Sequence, residues 1–526
     1  MPDAPHGPER SDLSDPAYVL RRLAARRTVR AAVALGRLSA GPRAVAEAWR
    51  RPVSLDDPGP ATDRLSQGHL RVAHLSDAPL TATTAPGLRL DPAAWHTQAR
   101  SARPDLYLLD APGVIGDVRE LRELRAAHDA PVVATATVAA ELGTGAPIDL
   151  VLDPRDPDGC AAPAVDHRYD NPVDAPTDPD GHARWSSQRP DAALAGPPPA
   201  VIDVEEGEDP RAAVTAALRL AARGTVITCR PAGAVATALG GPGIEVARDG
   251  IDEVAARLTV DGDARERASV RQRRHVLGHH TTDDRARALL AAAGLHVRPP
   301  ATVSVLLATR RPELVHDALA QVAAQDHAPL DVHLLLHGVE RPEHLTAPGI
   351  GDHPDRACTV HEVPAELPLG AVLDRGLDAA RGELIAKLDD DDLYGVAHLR
   401  DLAVALRYSG AEVVGRWANV THLVGPDVTV DGDRSRQERF AHHLPGATML
   451  VHGDVLRRLR WRHVPHGVDR ELVRAVHADG GRAYGTHRFG FVRRRHGDHT
   501  FSQSDRTFAR RAERGTPGLD RSVLEV

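Results

Sequence analysis

Short apolar runs and stretches with helical spacing alternate along the second half of the chain. Residues 303–309 form an apolar run, and residues 313–325 follow with Leu314, Ala318, Leu319 and Val322 on one side. A second apolar run covers residues 330–336. Strand, helix and strand in this order predict a βαβ unit, and therefore a parallel sheet.

The next predicted helix and strand end in an acidic cluster. A helix is expected at residues 371–380, Gly382 ends it, and a strand at residues 384–388 follows. Four aspartates then stand in a row, at positions 389–392. The strand delivers them to the carboxyl edge of the predicted sheet, which is where open α/β sheets bind ligands.

Four neighbouring carboxylates repel one another, and a divalent cation is the simplest group that offsets this cost. Alternate side chains of a strand share a face, so Asp389 and Asp391 are expected to point together. Two such carboxylates can hold one hard cation, leave positions open for phosphate oxygens and so stabilise a diphosphate leaving group. A water-exposed acidic turn, or an acidic helix N-terminus, is the alternative interpretation.

Residues 301–500 resemble the family 2 glycosyltransferases, which have the GT-A fold. Four pieces in the same order carry this resemblance: Thr-Arg-Arg-Pro at 309–312, the segment 380–386, the acidic cluster with Leu393 and Tyr394 after it, and Gly-Val-Asp-Arg-Glu-Leu at 467–472. Their order and spacing make the match specific, and it covers somewhat under half of the chain.

The resemblance implies inverting transfer of a sugar from a nucleotide-diphosphate sugar to an acceptor hydroxyl. It implies that Asp469 is the catalytic base and that Asp389 and Asp391 bind Mn²⁺ or Mg²⁺. A histidine after the last strand is the implied third ligand, with His499 and His496 as the candidates in a loop whose arginines would cover the diphosphate. A basic surface loop without a function is the alternative for this segment.

The resemblance also implies contacts to the nucleotide sugar from Thr309, Arg311, Asp389 and Asp390. His337 follows the second strand, where the family commonly has an acidic residue. It is therefore either a contact to the base or ribose, or a loop histidine with no such role. The identity of the nucleotide stays open for this reason.

Two residues near the cluster have other interpretations. A carboxylate at Asp469 would help a hydroxyl to attack, but Asp469 also fits the N-cap of a helix at residues 470–476. Lys387 is the only lysine in the chain. Strand alternation predicts that it lies on the face opposite the neighbours of Asp389, and an ion pair with the cluster is its expected use.

The chain before residue 300 is predicted to form a different unit. We expect a disordered tail at residues 1–17, a helical segment at 18–69, α/β halves at 70–153 and 200–297, and a Pro- and Asp-rich linker at 154–199. The arginine-rich start of the helical segment fits either a solvated helix packed on a domain or a helix on an anionic surface.

The two halves resemble the GT-B-like, Rossmann-type domain of spore-maturation CgeB-type glycosyltransferases. The resemblance depends on His280, Thr281 and Arg285 and on the arginine-rich helix before them. No Gly-rich phosphate loop and no clear catalytic acid stand out in this part of the sequence. A degenerate binding or scaffolding domain is expected, with a second working transferase as the alternative.

Composition excludes several classes of protein. A net charge of −8 argues against a nucleic-acid binder, and 3% aromatic residues leave few stacking platforms. We expect a cytoplasmic protein, because no signal peptide or membrane-spanning run is visible and Cys160, Cys229 and Cys358 are odd in number and far apart. The alternatives to sugar transfer are a non-catalytic sugar-nucleotide-binding or scaffolding protein, and a nucleotidyltransferase. The sugar and the acceptor (glycan, lipid-linked compound or protein) stay open.

Overall fold

The computed structural model describes part of the chain in two compact units, one before Pro300 and one from Pro300 onwards. The described residues are 72–74, 87–89, 106–109, 118–127, 130, 132–143, 145–152, 165, 183–184, 200–202, 210–241, 244–245, 250–327, 329–342, 345, 349–350, 353–496 and 515–526. The predictions for residues 1–17, residues 18–69, Cys160 and His499 lie outside them, and so does most of the predicted linker.

The unit before Pro300 is α/β. Its strands are β1 (Val72–His74), β2 (Gly87–Arg89), β3 (Leu106–Leu109), β4 (Val132–Thr135), β5 (Leu150–Leu152), β6 (Ala183–Arg184), β7 (Ala200–Ile202), β8 (Ile227–Cys229) and β9 (Ile244–Glu245). Its helices are α1 (Val118–Ala127), α2 (Ala136–Leu142), α3 (Pro210–Ala222), α4 (Ala234–Leu239), α5 (Ile251–Val260), α6 (Gly262–His279) and α7 (Thr282–Ala292).

The strands of this unit pair in two parallel sheets. Among the described residues one sheet has the order β2-β1-β3-β4-β5 and the other the order β6-β7-β8-β9. Strand β6 lies inside the segment predicted as a linker. Thr281 begins helix α7 with a capping box, in which its hydroxyl accepts from the Asp284 amide and the Asp284 carboxylate accepts from the Thr281 amide. The GT-B-like resemblance itself stays a prediction.

The unit from Pro300 onwards is also α/β. Its strands are β10 (Val303–Thr309), β11 (Leu330–His337), β12 (Arg356–Val363), β13 (Leu384–Asp389), β14 (Leu393–Tyr394), β15 (Val413–Gly415), β16 (Val420–Leu423), β17 (Val428–Asp431), β18 (Arg439–Ala441), β19 (Met449–His452), β20 (Ala483–Gly485), β21 (Phe491–Arg495) and β22 (Gly515–Pro517). Its helices are α8 (Val315–Ala323), α9 (Leu369–Ala379), α10 (His398–Ser409), α11 (Gly453–Leu459) and α12 (Val468–Ala478).

Two sheets are present in the described part of this unit. The larger has the order β12-β11-β10-β13-β19-β15-β20-β18, and the smaller the order β14-β21-β16-β17-β22. Strands β12, β11, β10 and β13 are parallel, whereas β19 runs antiparallel to β13. The carboxyl ends of β10, β11 and β13 therefore meet at one edge, which brings Thr309, His337 and Asp389 to the same side of the sheet.

An apolar core fixes helices α9 and α12 on the larger sheet. Leu306 and Leu335 on the strands, Leu377 on α9, and Leu472 and Val476 on α12 belong to one cluster, and each side chain is at most 1% exposed. Burying an aliphatic side chain of this size contributes about 1.5–3 kcal/mol. The position of α12, which carries Asp469, therefore follows from packing against the sheet.

Candidate functional site

The acidic cluster is a turn, and not an extension of the strand. Strand β13 ends at Asp389, and Asp390 and Asp391 form the turn that follows. The premise that strand alternation extends to Asp391 is therefore wrong, and the shared metal role of Asp389 and Asp391 stays a prediction. The two carboxylates contact different cations, Lys387 in one case and Arg311 in the other.

Lys387 lies between two carboxylates of the site. Its Nζ donates to Asp389 Oδ1 at 2.6 Å and is 3.9 Å from Asp469 Oδ1. The expected ion pair with the cluster is confirmed, but Lys387 shares a face with Asp389, since the two are two residues apart on β13. Burial by itself lowers the pKa of Lys387, but the charges of Asp389 and Asp469 raise it above its usual value. Lys387 is therefore a charged, buried ammonium group.

Arg311 holds the other side of the turn. Its guanidinium donates to both carboxylate oxygens of Asp390 and contacts Asp391 Oδ2 at 2.8 Å. His496 Nε2 lies 2.9 Å from the same Asp391 oxygen. Burial alone raises the pKa of Asp391, but the hydrogen bonds and charges of Arg311 and His496 hold it below its usual value. Thr309 donates to Asp390 as well, so the first loop is fastened to the turn.

Asp390 and Asp392 face the protein interior. Their exposed fractions are 7% and 4%, so a water-exposed acidic turn is the wrong interpretation for these two residues. Asp392 Oδ1 accepts from the backbone amide of Arg494 at 2.9 Å, which fastens β21 to the turn. Burial, with the nearby charge of Asp389, raises the pKa of Asp392 well above its usual value. The role of Asp390 in nucleotide-sugar binding stays a prediction.

Asp469 is the second residue of helix α12, directly above Gly446. The N-cap is Gly467, in the left-handed conformation with φ 76°, so the interpretation of Asp469 as an N-cap is wrong. A Cβ atom at position 446 would overlap the Asp469 carboxylate, and only glycine leaves it room. Asp469 Oδ1 is buried and has no hydrogen-bond partner within the described part of the chain.

The electrostatic surroundings of Asp469 suit a proton acceptor. Burial raises the pKa of Asp469 above 3.8; Asp389 raises it further, and the charges of Lys387 and Arg493 oppose this shift. A carboxylate with a raised pKa is a stronger base than an ordinary one. The arrangement can therefore accept a proton beside the edge where Asp389 lies.

Tyr394 connects Asp389, at the carboxyl edge of the sheet, to the turn at residues 446–448 next to Asp469. The backbone amide of Asp389 donates to the Tyr394 hydroxyl at 2.8 Å, and that hydroxyl donates to the carbonyl of Ala447 at 3.0 Å. Ala447 belongs to the 3-10 turn Gly446–Thr448. The sequence marked Tyr394 as part of a motif, but nothing in the local pattern shows where its hydroxyl points.

His337 contacts Arg310 and not the acidic cluster in the described residues. Its two ring nitrogens are 3.1 Å from Arg310 Nε and 2.9 Å from Nη2. Burial and the charge of Arg310 lower the pKa of His337, which favours the neutral ring. His337 lies at the carboxyl end of β11, and its role as a contact to the base or ribose stays a prediction.

The carboxylates of the turn are of the kind that divalent cations take as ligands, but Asp389 and Asp391 are engaged by Lys387 and Arg311. Asp391 and His496 are one pair of donors, and the Asp389 side chain is 41% exposed. Among the described residues, no group of three Asp, Glu, His or Cys side chains is arranged so that it could hold a metal ion. Mg²⁺ is usually bound by one or two carboxylates together with substrate phosphates and water, so a full protein cage is not required.

The sequence did not reveal three contributors to the site. They are Tyr394, which connects two segments, Gly446, whose lack of a side chain leaves room for the Asp469 carboxylate, and Arg493. The positive charge of Arg493 lowers the pKa of both Asp392 and Asp469, which places it near both carboxylates. The signal for Arg493 was its place in the basic segment after β21. The signal for Gly446 was a Pro-Gly pair, which reads equally well as an ordinary turn.

No protein-family model and no curated protein matches this chain. One similar solved structure is S. aureus TarS 1-349 in complex with UDP-GlcNAc, at 15% identity and a TM-score of 0.31, covering 39% of this chain and 61% of that one. Another is the mannosyltransferase PcManGT from Pyrobaculum calidifontis in complex with GDP-Man and Mn²⁺, at 18% identity and a TM-score of 0.30, covering 36% and 56%. This chain thus covers less than two thirds of either protein.

In the part of the chain that the structure describes, no helix has the length and apolar character needed to cross a lipid bilayer.

Proposed function

We propose that this protein is a glycosyltransferase that moves a sugar from a nucleotide-diphosphate sugar to an acceptor hydroxyl. One observation carries the proposal: the ammonium group of Lys387 lies within 4 Å of carboxylate oxygens of both Asp389, at the carboxyl edge of the parallel strands, and Asp469, whose surroundings raise its pKa. A donor held at this edge and a proton acceptor beside it are what displacement at an anomeric carbon needs.

On the donor side, Asp389, Asp391 and His496 are the proposed ligands of Mn²⁺ or Mg²⁺. When bound, the ion neutralises the charge that develops on the departing diphosphate. Arg311 holds Asp391 and the adjacent Asp390 in position. Thr309 fixes the first loop against the same turn, where we propose that it meets the nucleoside.

On the acceptor side, Asp469 is the proposed base. Its carboxylate takes the proton of the acceptor hydroxyl as that oxygen forms a bond to the anomeric carbon. The bond from that carbon to the diphosphate oxygen breaks in the same step, and the electron pair leaves with the nucleoside diphosphate. One displacement of this kind inverts the anomeric configuration.

The substitution Asp469→Asn tests the proposal. Asparagine keeps the shape of the side chain but accepts no proton, so we expect transfer to fall by about 10²–10⁴-fold. A panel of UDP-, GDP- and dTDP-sugars with Mn²⁺ should still raise the melting temperature, because the donor edge is unchanged. Asp479→Asn at the other end of α12, where Asp479 pairs with Arg458, is the matched control and should keep transfer.

The products separate sugar transfer from its alternatives. A glycosyltransferase releases a nucleoside diphosphate, and a nucleotidyltransferase releases pyrophosphate from a nucleoside triphosphate and a sugar phosphate. A protein that only binds sugar nucleotides shows the melting shift without turnover. Full activity of the Asp469→Asn protein would refute the role of Asp469.

A further inference from the structure

Lys387 stands out in both the sequence and the structure. Every other residue in the combined Lys and Arg set is arginine, and this single lysine is 6% exposed on β13, in the interior of the larger sheet. Its ammonium group is also within 4 Å of both Asp389, on the donor side, and Asp469, the proposed base. Burying a charge costs free energy, and pairing only offsets this cost. The presence of a buried lysine at this position therefore calls for a physical reason.

We propose that Lys387 is a positioning residue that joins the donor and acceptor halves of the site. Its ammonium group donates to Asp389 at 2.6 Å and stands 3.9 Å from Asp469 Oδ1, an oxygen for which the described residues provide no hydrogen-bond partner. One cation thus binds the first carboxylate directly and attracts the second at a longer distance. This inference rests on the proposed sugar transfer.

The shape of the cation explains why this position has a lysine. An ammonium group is compact and directs three N–H donors to different sides, so it can serve two separate carboxylates. A guanidinium is a larger, flat fork, and Arg311 contacts Asp390 and Asp391 from a side chain that is 33% exposed. Arginine at position 387, where the lysine is 6% exposed, would therefore have to fit a larger group into a buried space.

A second connection runs parallel to the first. The Asp389 amide reaches the carbonyl of Ala447 through the Tyr394 hydroxyl, and Gly446 lies directly below the Asp469 carboxylate. The side chain of Asp389 is thus connected to Asp469 through Lys387, and its backbone is connected through Tyr394.

A single lysine allows a direct test of this geometry. Protein grown with [¹³C,¹⁵N]lysine carries one labelled side chain, whose ¹³Cε resonance reports on its neighbours. We expect this resonance to move in Asp389→Asn and also in Asp469→Asn. It should stay in place in Asp378→Asn, a control at an exposed aspartate of α9 that pairs with Arg460. An unmoved resonance in Asp469→Asn would overturn the proposed link.

A kinetic test addresses the consequence for turnover. Lys387→Met keeps the length of the side chain without its charge, and we expect kcat for nucleoside diphosphate release from the donor to fall by about 10–100-fold through misplacement of the base. Donor affinity should change less than kcat does, although Asp389 loses the partner of one oxygen. Lys387→Arg keeps the charge and should recover less than half of the lost kcat.

The outcomes separate this inference from the proposed function. Normal kcat in a folded Lys387→Met protein overturns the positioning role. If Lys387→Met does not fold, Lys387→Arg and the resonance in Asp469→Asn decide. A wild-type protein without any turnover refutes the transferase, whereas the resonance still shows whether Lys387 joins the two carboxylates.

Discussion

Asp469 and Asp392 are two carboxylates whose pKa values are raised for the same first reason, burial, yet their surroundings suit different tasks. Asp392 accepts a backbone hydrogen bond and is 4% exposed, so it fastens two segments together. The Asp469 side chain is 31% exposed, and its buried Oδ1 has no hydrogen-bond partner among the described residues. The partial exposure of the side chain, and not the shift alone, makes Asp469 the candidate for proton transfer.

The rate of transfer should depend on pH through Asp469. The base works only when ionised, so kcat/KM should fall as the pH drops through the pKa of Asp469. Because this pKa is raised above 3.8, the fall should begin at a higher pH than an ordinary aspartate would give. Lys387→Met removes a charge that opposes the shift, and should move the fall to higher pH still.

A pH profile of kcat/KM for the wild type and Lys387→Met checks this expectation. Arg458→Gln, which alters a surface pair with Asp479, is the matched removal of a distant positive charge and should leave the profile unchanged. A fall that moves to lower pH in Lys387→Met would contradict the assigned base.

At the scale of elements, the site depends on how closely the turn Gly446–Thr448 approaches helix α12. Gly446→Ala puts a methyl group into the space of the Asp469 carboxylate. The carboxylate can rotate away more easily than the backbone can shift. We therefore expect the free energy of unfolding to fall by at most about 1–3 kcal/mol. Transfer should fall by about 10-fold or more, because the base is displaced.

Urea unfolding and donor turnover measure the two effects of Gly446→Ala separately. Gly278→Ala in helix α6 is the matched control, since nothing lies within 4 Å of its added methyl group. It should be neutral or slightly stabilising, as alanine is the better helix former. Unchanged turnover in Gly446→Ala would show that the base does not need the space above the glycine.

The elements themselves were accessible from the sequence, but the contacts between them were not. The predicted strand at 384–388 and helix at 371–380 lie within two residues of β13 and α9, because apolar periodicity reports local structure. Periodicity could not show that the strand ends at Asp389, which removed the basis for extending strand alternation to Asp391. The contact of Arg311 with His496 joins positions 185 apart, and no local pattern contains it.

At the scale of the whole molecule, every residue assigned to the site lies in the unit from Pro300 onwards. The unit before Pro300 has its own parallel sheets and its own apolar clusters. A unit with its own core can fold around it without help from the other. The predicted scaffolding role of the earlier unit is therefore a separate question from the chemistry at Asp389 and Asp469.

The single buried lysine also makes the chain a reporter of its own unfolding. An endoprotease specific for lysine has one peptide bond to cut, between Lys387 and Leu388, on a strand that is paired on both sides. Cleavage therefore requires that the centre of the larger sheet opens, and its rate follows the population of that open state. The native protein should stay intact while trypsin, which also cuts after arginine, trims its surface. Two fragments should appear only as denaturant frees this strand.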